Sequence, residues 1–286
     1  MTALAAVPVF GWLQEMLSHD FIRNALLAGT GIALACGVVG HLVVLRNQVF
    51  SGDALSHVAF TGALAAFAAG VEPLLGLFGS TVLCALGMAL LGGSARGRDV
   101  VVGTVFAWVL GLGVLFLSLY TTTRSAGNGS AGISVLFGSI YGLSARQAVI
   151  ALLAGAGVAA VVAAIARPLL FASVDSDVAA ARGVPVRALG MLFLALAGVA
   201  VAEAVQAVGA LLALGLMVTP AAAVHRLCTR PYAAFLLSAG AAIACVWAGL
   251  TLSYAAQQLP PSFAIIGLAF AAYVMAAAAS VARRTS

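Results

Sequence analysis

The stretch Ser51-Gly52-Asp53-Ala54-Leu55-Ser56-His57 holds the two side chains best suited to chemistry. Asp53 and His57 are four residues apart, so a helix through them stacks a carboxylate and an imidazole on one face. That donor pair suits a borderline divalent cation such as Zn2+ or Mn2+. The flanking residues are apolar, and ionisable groups inside apolar segments are costly and tend to face a cavity or pathway. The same spacing also fits a plain helix start, with Ser51 or Asp53 as the cap and His57 bonding between helices. Glu203 is the next costly group, the only charge between Ala188 and Val224. Lining a pathway, binding a passing cation, pairing with an Arg and resting among headgroups are all open to it. His41 and His225 read as boundary or packing residues. The cysteines, Cys36, Cys84, Cys228 and Cys245, form no CxxC pair, so neither a structural zinc site nor a disulfide framework is expected.

These residues must be positioned by helices in a bilayer. The chain has 286 residues, 64% hydrophobic and 7% charged, with a mean hydropathy of +1.17. Soluble domains carry roughly a quarter charged residues, so this chain cannot cover a water-facing surface. In lipid only helices and closed barrels satisfy the backbone. Barrel strands alternate apolar and polar residues, whereas this chain runs in long apolar blocks. An all-α polytopic membrane protein follows, one domain over residues 1–286, with eight or nine spans.

The spans are expected near Ala25–Leu45, Ala54–Val71, Leu74–Leu91, Val100–Tyr120 and Ala148–Ala166, the last ending at Arg167-Pro168. Residues 1–20 lack the layout of a signal peptide and suggest an interfacial segment through Trp12 and Leu17. Gly92 to Asp99 is a polar loop, and Thr121 to Ser130 is flexible by composition. Ile133–Leu143 is apolar but too short to cross, hence re-entrant or interfacial. A single straight helix over Ala188–Val224 would be about 55 Å long. Two short helices meeting near Glu203–Gly209, or one broken helix, fit better. Tyr232–Ala282 has no charge and is divided by Gln257-Gln258-Leu259-Pro260-Pro261 into two spans. The formal charge of +5 comes wholly from Arg, with no Lys. Alternation from the fourth span onward puts Arg96, Arg98, Arg182, Arg187, Arg226, Arg230, Arg283 and Arg284 on one side, the cytoplasmic one. The N-terminal side stays open. No basic stripe with interleaved aromatics points to nucleic acid.

Several stretches, in order, resemble the zinc/manganese permease family of bacterial ATP-binding-cassette importers. They are Val43-Val44-Leu45-Arg46 with Gly52-Asp53-Ala54-Leu55-Ser56-His57, then Arg98-Asp99-Val100-Val101-Val102-Gly103-Thr104-Val105-Phe106, then Val135-Leu136-Phe137-Gly138-Ser139-Ile140. Asp177 to Val186, Gln206 to Leu212 and Thr219-Pro220-Ala221-Ala222 complete the series, which spans about residues 22 to 282. Two departures stand out. Thr61-Gly62 replaces a frequent Pro-Gly, and His225 stands where small residues are common.

The resemblance implies the metal/vitamin importer permease fold in the bacterial cytoplasmic membrane. It implies a homodimer carrying Zn2+ or Mn2+, with Asp53 and His57 as metal ligands, beside which Glu203 stays a candidate pathway residue on its own reading. It also implies that the cytoplasmic loop over residues 171–187 docks the ATPase through Asp177, Ala181, Arg182, Gly183 and Pro185. The expected partners are a cytoplasmic ATPase and an extracellular or periplasmic metal-binding protein. No tightly bound cofactor and no catalytic residue are expected, and a chain without Lys has no GxxxxGK[ST] loop. The alternatives are a permease for a metal chelate or vitamin, and an ion-gradient secondary transporter. The latter would show internal repeats and several intramembrane ionisable groups, and neither is evident.

Overall fold

The computed structural model describes residues 9–92, 95–123 and 130–285. Residues 1–8 of the N-terminal segment, Gly93-Ser94 and residues 124–129 lie outside the described residues, as do the side chains of Arg96, Arg98 and Arg284.

Helices α1 (Val9–Ser18), α2 (Asp20–Leu45), α3 (Val49–Ala69), α4 (Pro73–Leu91), α5 (Ala95–Thr123) and α6 (Ser130–Phe137) come first. A 3-10 turn, Ile140–Gly142, leads to α7 (Ala145–Val174), α8 (Ser176–Ala181), α9 (Val186–Val208), α10 (Ala213–Leu227), α11 (Pro231–Ala255) and α12 (Pro261–Thr285). Among the described residues no strand occurs. Seven helices are long and apolar enough to cross a membrane: α2, α4, α5, α7, α9, α11 and α12. Helix α3, polar at Asp53 and His57, and the shorter apolar α10 pack among them, beside the eight or nine spans expected.

Helix α2 is the hub, packed on α7, α11, α10 and α9. Its glycines permit this. A Cβ on Gly31 would lie 2.5 Å from the Ala151 carbonyl oxygen, and one on Gly37 2.5 Å from the Ala239 Cα. Small residues that let backbones close are how helices associate in lipid, where no hydrophobic force draws them together.

The helix ends sort by charge. Arg46 at the end of α2, Gly92 after α4, Asp177 of α8 and Arg187 of α9 line one cavity. His225 in the last turn of α10 stacks on His41 near the same end of α2, which brings Arg226 and Arg230 to this side. Glu72, Ser139, Gln147 and Gln206 line a cavity at the opposite end. By the bias of basic residues toward the cytoplasm, the Arg-rich end is the one expected to face inward. On that orientation helix α2 runs inward, with α1 at its outer end.

Two boundaries differ from the sequence expectation. Helix α7 does not stop at Arg167-Pro168 but runs on to Val174 with Pro168 inside it. A Pro in a helix interior costs about 3 kcal/mol and one hydrogen bond. Leu169, Leu170 and Ala172 are buried just beyond it, and that packing outweighs the local breaker. The polar stretch 171–187 is consequently not one loop. It contains the end of α7, all of α8 and the start of α9.

The break in the long apolar block falls at Gly209–Leu212, and Glu203 stays inside α9. The backbone groups freed there are satisfied by the end of α6. The Ala210 N–H donates to the Val135 carbonyl at 3.1 Å and that of Leu211 to Leu136 at 3.3 Å. Irregular backbone at membrane depth is tolerated when it is buried in protein this way. The short apolar segment expected to be re-entrant thus meets the broken helix.

Candidate functional site

Helix α3 follows α2 through a three-residue turn. Asn47 adopts a left-handed φ of 53°, which Asn tolerates better than most residues. The Gln48 N–H donates back to the Val43 carbonyl at 2.9 Å. Gln48 is the N-cap, so neither Ser51 nor Asp53 caps this helix. Asp53 lies one turn in and His57 two turns in, both half-buried. Ser56, on another face, is buried and its hydroxyl donates to the Asp53 carbonyl at 2.7 Å.

Among the described residues His57 makes no hydrogen bond to a neighbouring helix. It meets the ring of Phe106 on α5 edge-on, with centroids 5.1 Å apart. Phe50, one turn before Asp53, also packs on Phe106, at 6.0 Å. Gly52 lets α10 approach, since a Cβ there would lie 2.6 Å from the Met217 methyl. Where the resembling family often has Pro-Gly, the Thr61 hydroxyl donates to the Val109 carbonyl at 3.1 Å, and α3 runs unbroken to Ala69.

The structure does not gather Glu203 with Asp53 and His57. Among the described residues no three His, Cys, Asp or Glu side chains come together to hold a metal. One copy of the chain thus presents two candidate ligands, Asp53 and His57, on a partly open helix face. Further donors could come from water, another protein or a second copy.

Glu203 is 0% exposed, and neither carboxylate oxygen has a hydrogen-bond partner. That removes two of its open readings, the headgroup position and the Arg pair. Cys36 of α2 lies alongside, its thiol donating to the Ala200 carbonyl at 3.7 Å. One turn above Glu203, Val205 and Gln206 line an outward cavity of about 330 Å³ with Glu72, Ser139 and Gln147. An unpartnered buried carboxyl costs stability, so a substitution separates structure from transport. Glu203→Leu is expected to hold or raise the melting temperature of the purified protein. Glu203→Gln is expected to lose less metal uptake than Asp53→Asn. A Glu203→Gln loss as deep as that of Asp53→Asn would make Glu203 part of the site.

At the cytoplasmic end, the Asp175 carboxylate accepts the Asp177 and Val178 N–H groups at 3.1 and 2.9 Å and starts α8. Ala179 is fully buried and pins this short helix. Asp177, Ala181, Arg182, Gly183 and Pro185 are all exposed. Gly183 has φ of +81°, which glycine adopts without penalty. Val174 and Val178, 80% and 45% exposed, add an apolar knob beside them. Two valines in a polar stretch were the sequence signal for it.

The pairing of His41 with His225 was not legible in the sequence. The rings stack at 4.5 Å, and the His225 Nε2 lies 3.2 Å from the His41 carbonyl. The unusual residue at 225 was the only hint.

The profile of the ABC 3 transport family matches residues 18–280. The chain is 28% identical over 220 residues to the manganese transport system membrane protein MntC of Halalkalibacterium halodurans, covering 77% of this chain and 74% of that protein. It is 26% identical to a probable iron transport system membrane protein of Haemophilus influenzae, covering 74% and 76%. Among solved structures, PsaBC from Streptococcus pneumoniae in complex with Fab superposes with a TM-score of 0.81 at 23% identity, over 94% of this chain and 95% of that one. At that identity the likeness is one of fold.

Proposed function

This chain belongs to the ABC 3 transport family, and from that premise we propose that it is the permease subunit of an ATP-driven importer moving a divalent transition metal into the bacterial cytoplasm. The observation that carries the reading is the Asp53–His57 pair, one turn apart on a half-open face of a helix set among membrane spans. The manganese and iron named for the relatives support a metal cargo. Two copies related by symmetry would bring two carboxylates and two imidazoles to one cation. That set suits tetrahedral Zn2+, while Mn2+ would recruit further oxygen donors such as water. An external metal-binding protein would deliver the ion. A chelate or vitamin cargo has no use for a carboxylate–imidazole pair.

The energy comes from a separate ATPase. The docking surface is the exposed ridge of Asp177, Ala181, Arg182, Gly183 and Pro185, stiffened by the buried Ala179. A push on α8 would pass directly to α7 and α9, between which it is spliced.

The test is reconstitution in proteoliposomes with and without the co-expressed ATPase. ATP-dependent uptake of radiolabelled Mn2+ or Zn2+ is expected only with both subunits, and no ATP turnover from this chain alone. Arg182→Glu is expected to reduce ATPase association several-fold while membrane insertion is unchanged. A cysteine at Ala180 is expected to cross-link to the ATPase. Uptake of a labelled chelate or vitamin, with none of free cation, would overturn the cargo. A functional complex with no contact between Val174 and Val186 would overturn the docking assignment.

A further inference from the structure

The largest cavity described lies at the cytoplasmic end, about 830 Å³ between the inner ends of α2, α4 and α9 and the side of α8. Its polar end holds Arg46, Gln48, Ser176 and Arg187, and its other wall is apolar, with Leu90, Met191 and Leu194. Arg46 lies over the Phe193 ring, 5.0 Å from its centroid, and beside Gly190, whose Cβ position is 3.9 Å from Nη2. Its guanidinium is thus held in place by α9. Gln48 is 4% exposed, and its amide oxygen finds no donor in the protein. Among the described residues Asp177 is the one carboxylate on the cavity wall, beside the guanidiniums of Arg46 and Arg187.

The cavity does not end at its apolar wall. Leu90 is 55% exposed, and Leu83 and Leu75 follow on the same helix at 71% and 64%. Steps of seven and eight residues keep a helix to one face. An apolar track therefore rises along α4 from the cationic pocket towards the outer surface. A cationic head at the cytoplasmic boundary joined to a lengthwise apolar track is the complement of an anionic phospholipid. Arg forks match phosphate oxygens, and basic pockets between spans on the cytoplasmic side recruit anionic headgroups.

We propose that this cavity binds one anionic phospholipid, its phosphate between Arg46 and Arg187, its glycerol region near Gln48 and Ser176, and an acyl chain along Leu90, Leu83 and Leu75. Because α8 forms one wall, the lipid would brace the helix assigned above to the ATPase, and only this last consequence rests on the permease reading. The binding itself is independent of transport.

The experiment is native mass spectrometry of the full chain, released from detergent after exposure to phosphatidylglycerol or to phosphatidylcholine. One phosphatidylglycerol is expected to be retained, with phosphatidylcholine lost. Arg187 is exposed, so Arg187→Gln should fold normally. It should lower retention about fivefold, the equivalent of about 1 kcal/mol per Arg at an anionic membrane surface. Arg187→Lys should retain most of the binding, and Arg46→Gln with Arg187→Gln should abolish it. Equal retention of the two lipids, or parental retention in the double variant, overturns the proposal. So does displacement by inorganic phosphate alone, which would make the pocket a simple anion site. Quantitative loss of the lipid when the ATPase binds would likewise overturn it, by making an ATPase side chain the occupant.

Discussion

Asp53→Ala and His57→Ala are each expected to cut metal uptake, per assembled complex, by about tenfold or more. Losing even an outer-shell partner of a metal ligand costs 10- to 100-fold in affinity or activity, roughly speaking, so losing the ligand itself should cost no less. The positions explain why folding should survive. Both side chains are half-buried, and among the described residues neither has a hydrogen bond or ion pair to lose. His57 gives up one edge-on contact with Phe106. Asp53→Asn keeps the shape and removes the charge that offsets dehydration of a divalent ion, so it should fall nearly as far as Asp53→Ala. His57→Gln keeps a polar donor and acceptor without the imidazole, and should discriminate against Zn2+ more than against Mn2+, which accepts oxygen donors. The measurement is radiolabelled uptake divided by the amount of complex in the membrane. Both alanine variants transporting at parental rates would place the metal site elsewhere. Uptake falling only in proportion to protein would make the pair structural.

A second large effect is expected at the break between α9 and α10, and it concerns assembly. Gly209 has φ of 86° and ψ of 164°, a region essentially reserved for glycine, where another residue costs about 1–3 kcal/mol. A Cβ there would also strike the Leu136 carbonyl and lie 2.5 Å from the Gly138 nitrogen. Gly138, with φ of 74°, faces it across the same contact. Gly209→Ala should therefore leave little folded protein in the membrane. Gly138→Ala should do nearly the same, and the double variant should be no worse than additive because the two share one contact. Gly157, within α7 and with nothing within 4 Å of its Cβ position, is the control. Gly157→Ala should be neutral or stabilising by up to about 1 kcal/mol. Fluorescence-detected size exclusion of each variant reads the outcome. Normal abundance and melting temperature for Gly209→Ala would mean that the break tolerates an ordinary residue.

These expectations draw unequally on sequence and structure. Asp53 and His57 were legible because helical periodicity is local: four residues always return to the same face, whatever surrounds them. The surroundings were not. That His57 leans on Phe106, 49 positions along the chain, and that the cap is Gln48, depend on how α2, α3 and α5 pack. Glu203 shows the limit most clearly. Its cost in an apolar block was plain from the sequence, yet four environments remained open. Only packing of α9 against its neighbours excluded the headgroups and the Arg partner.

By itself the sequence determined the solvent and the all-helical class of the chain. Seven percent charge cannot face water over 286 residues, and a helix in lipid closes its hydrogen bonds within about four residues. Both properties are therefore readable from composition and block length. It also grouped the arginines whose placement favours one end for the cytoplasm, while the N-terminal side stayed open. The tertiary structure decided what depends on distant partners. Pro168 ends no helix because Leu169 and Leu170 are buried. The break at Gly209 is stable because Val135 and Leu136 accept its orphan N–H groups. His41 meets His225 across 184 positions. Local hydrogen bonds fix a helix wherever it lies, but burial, clash and the satisfaction of broken backbone are set by whichever helix comes alongside.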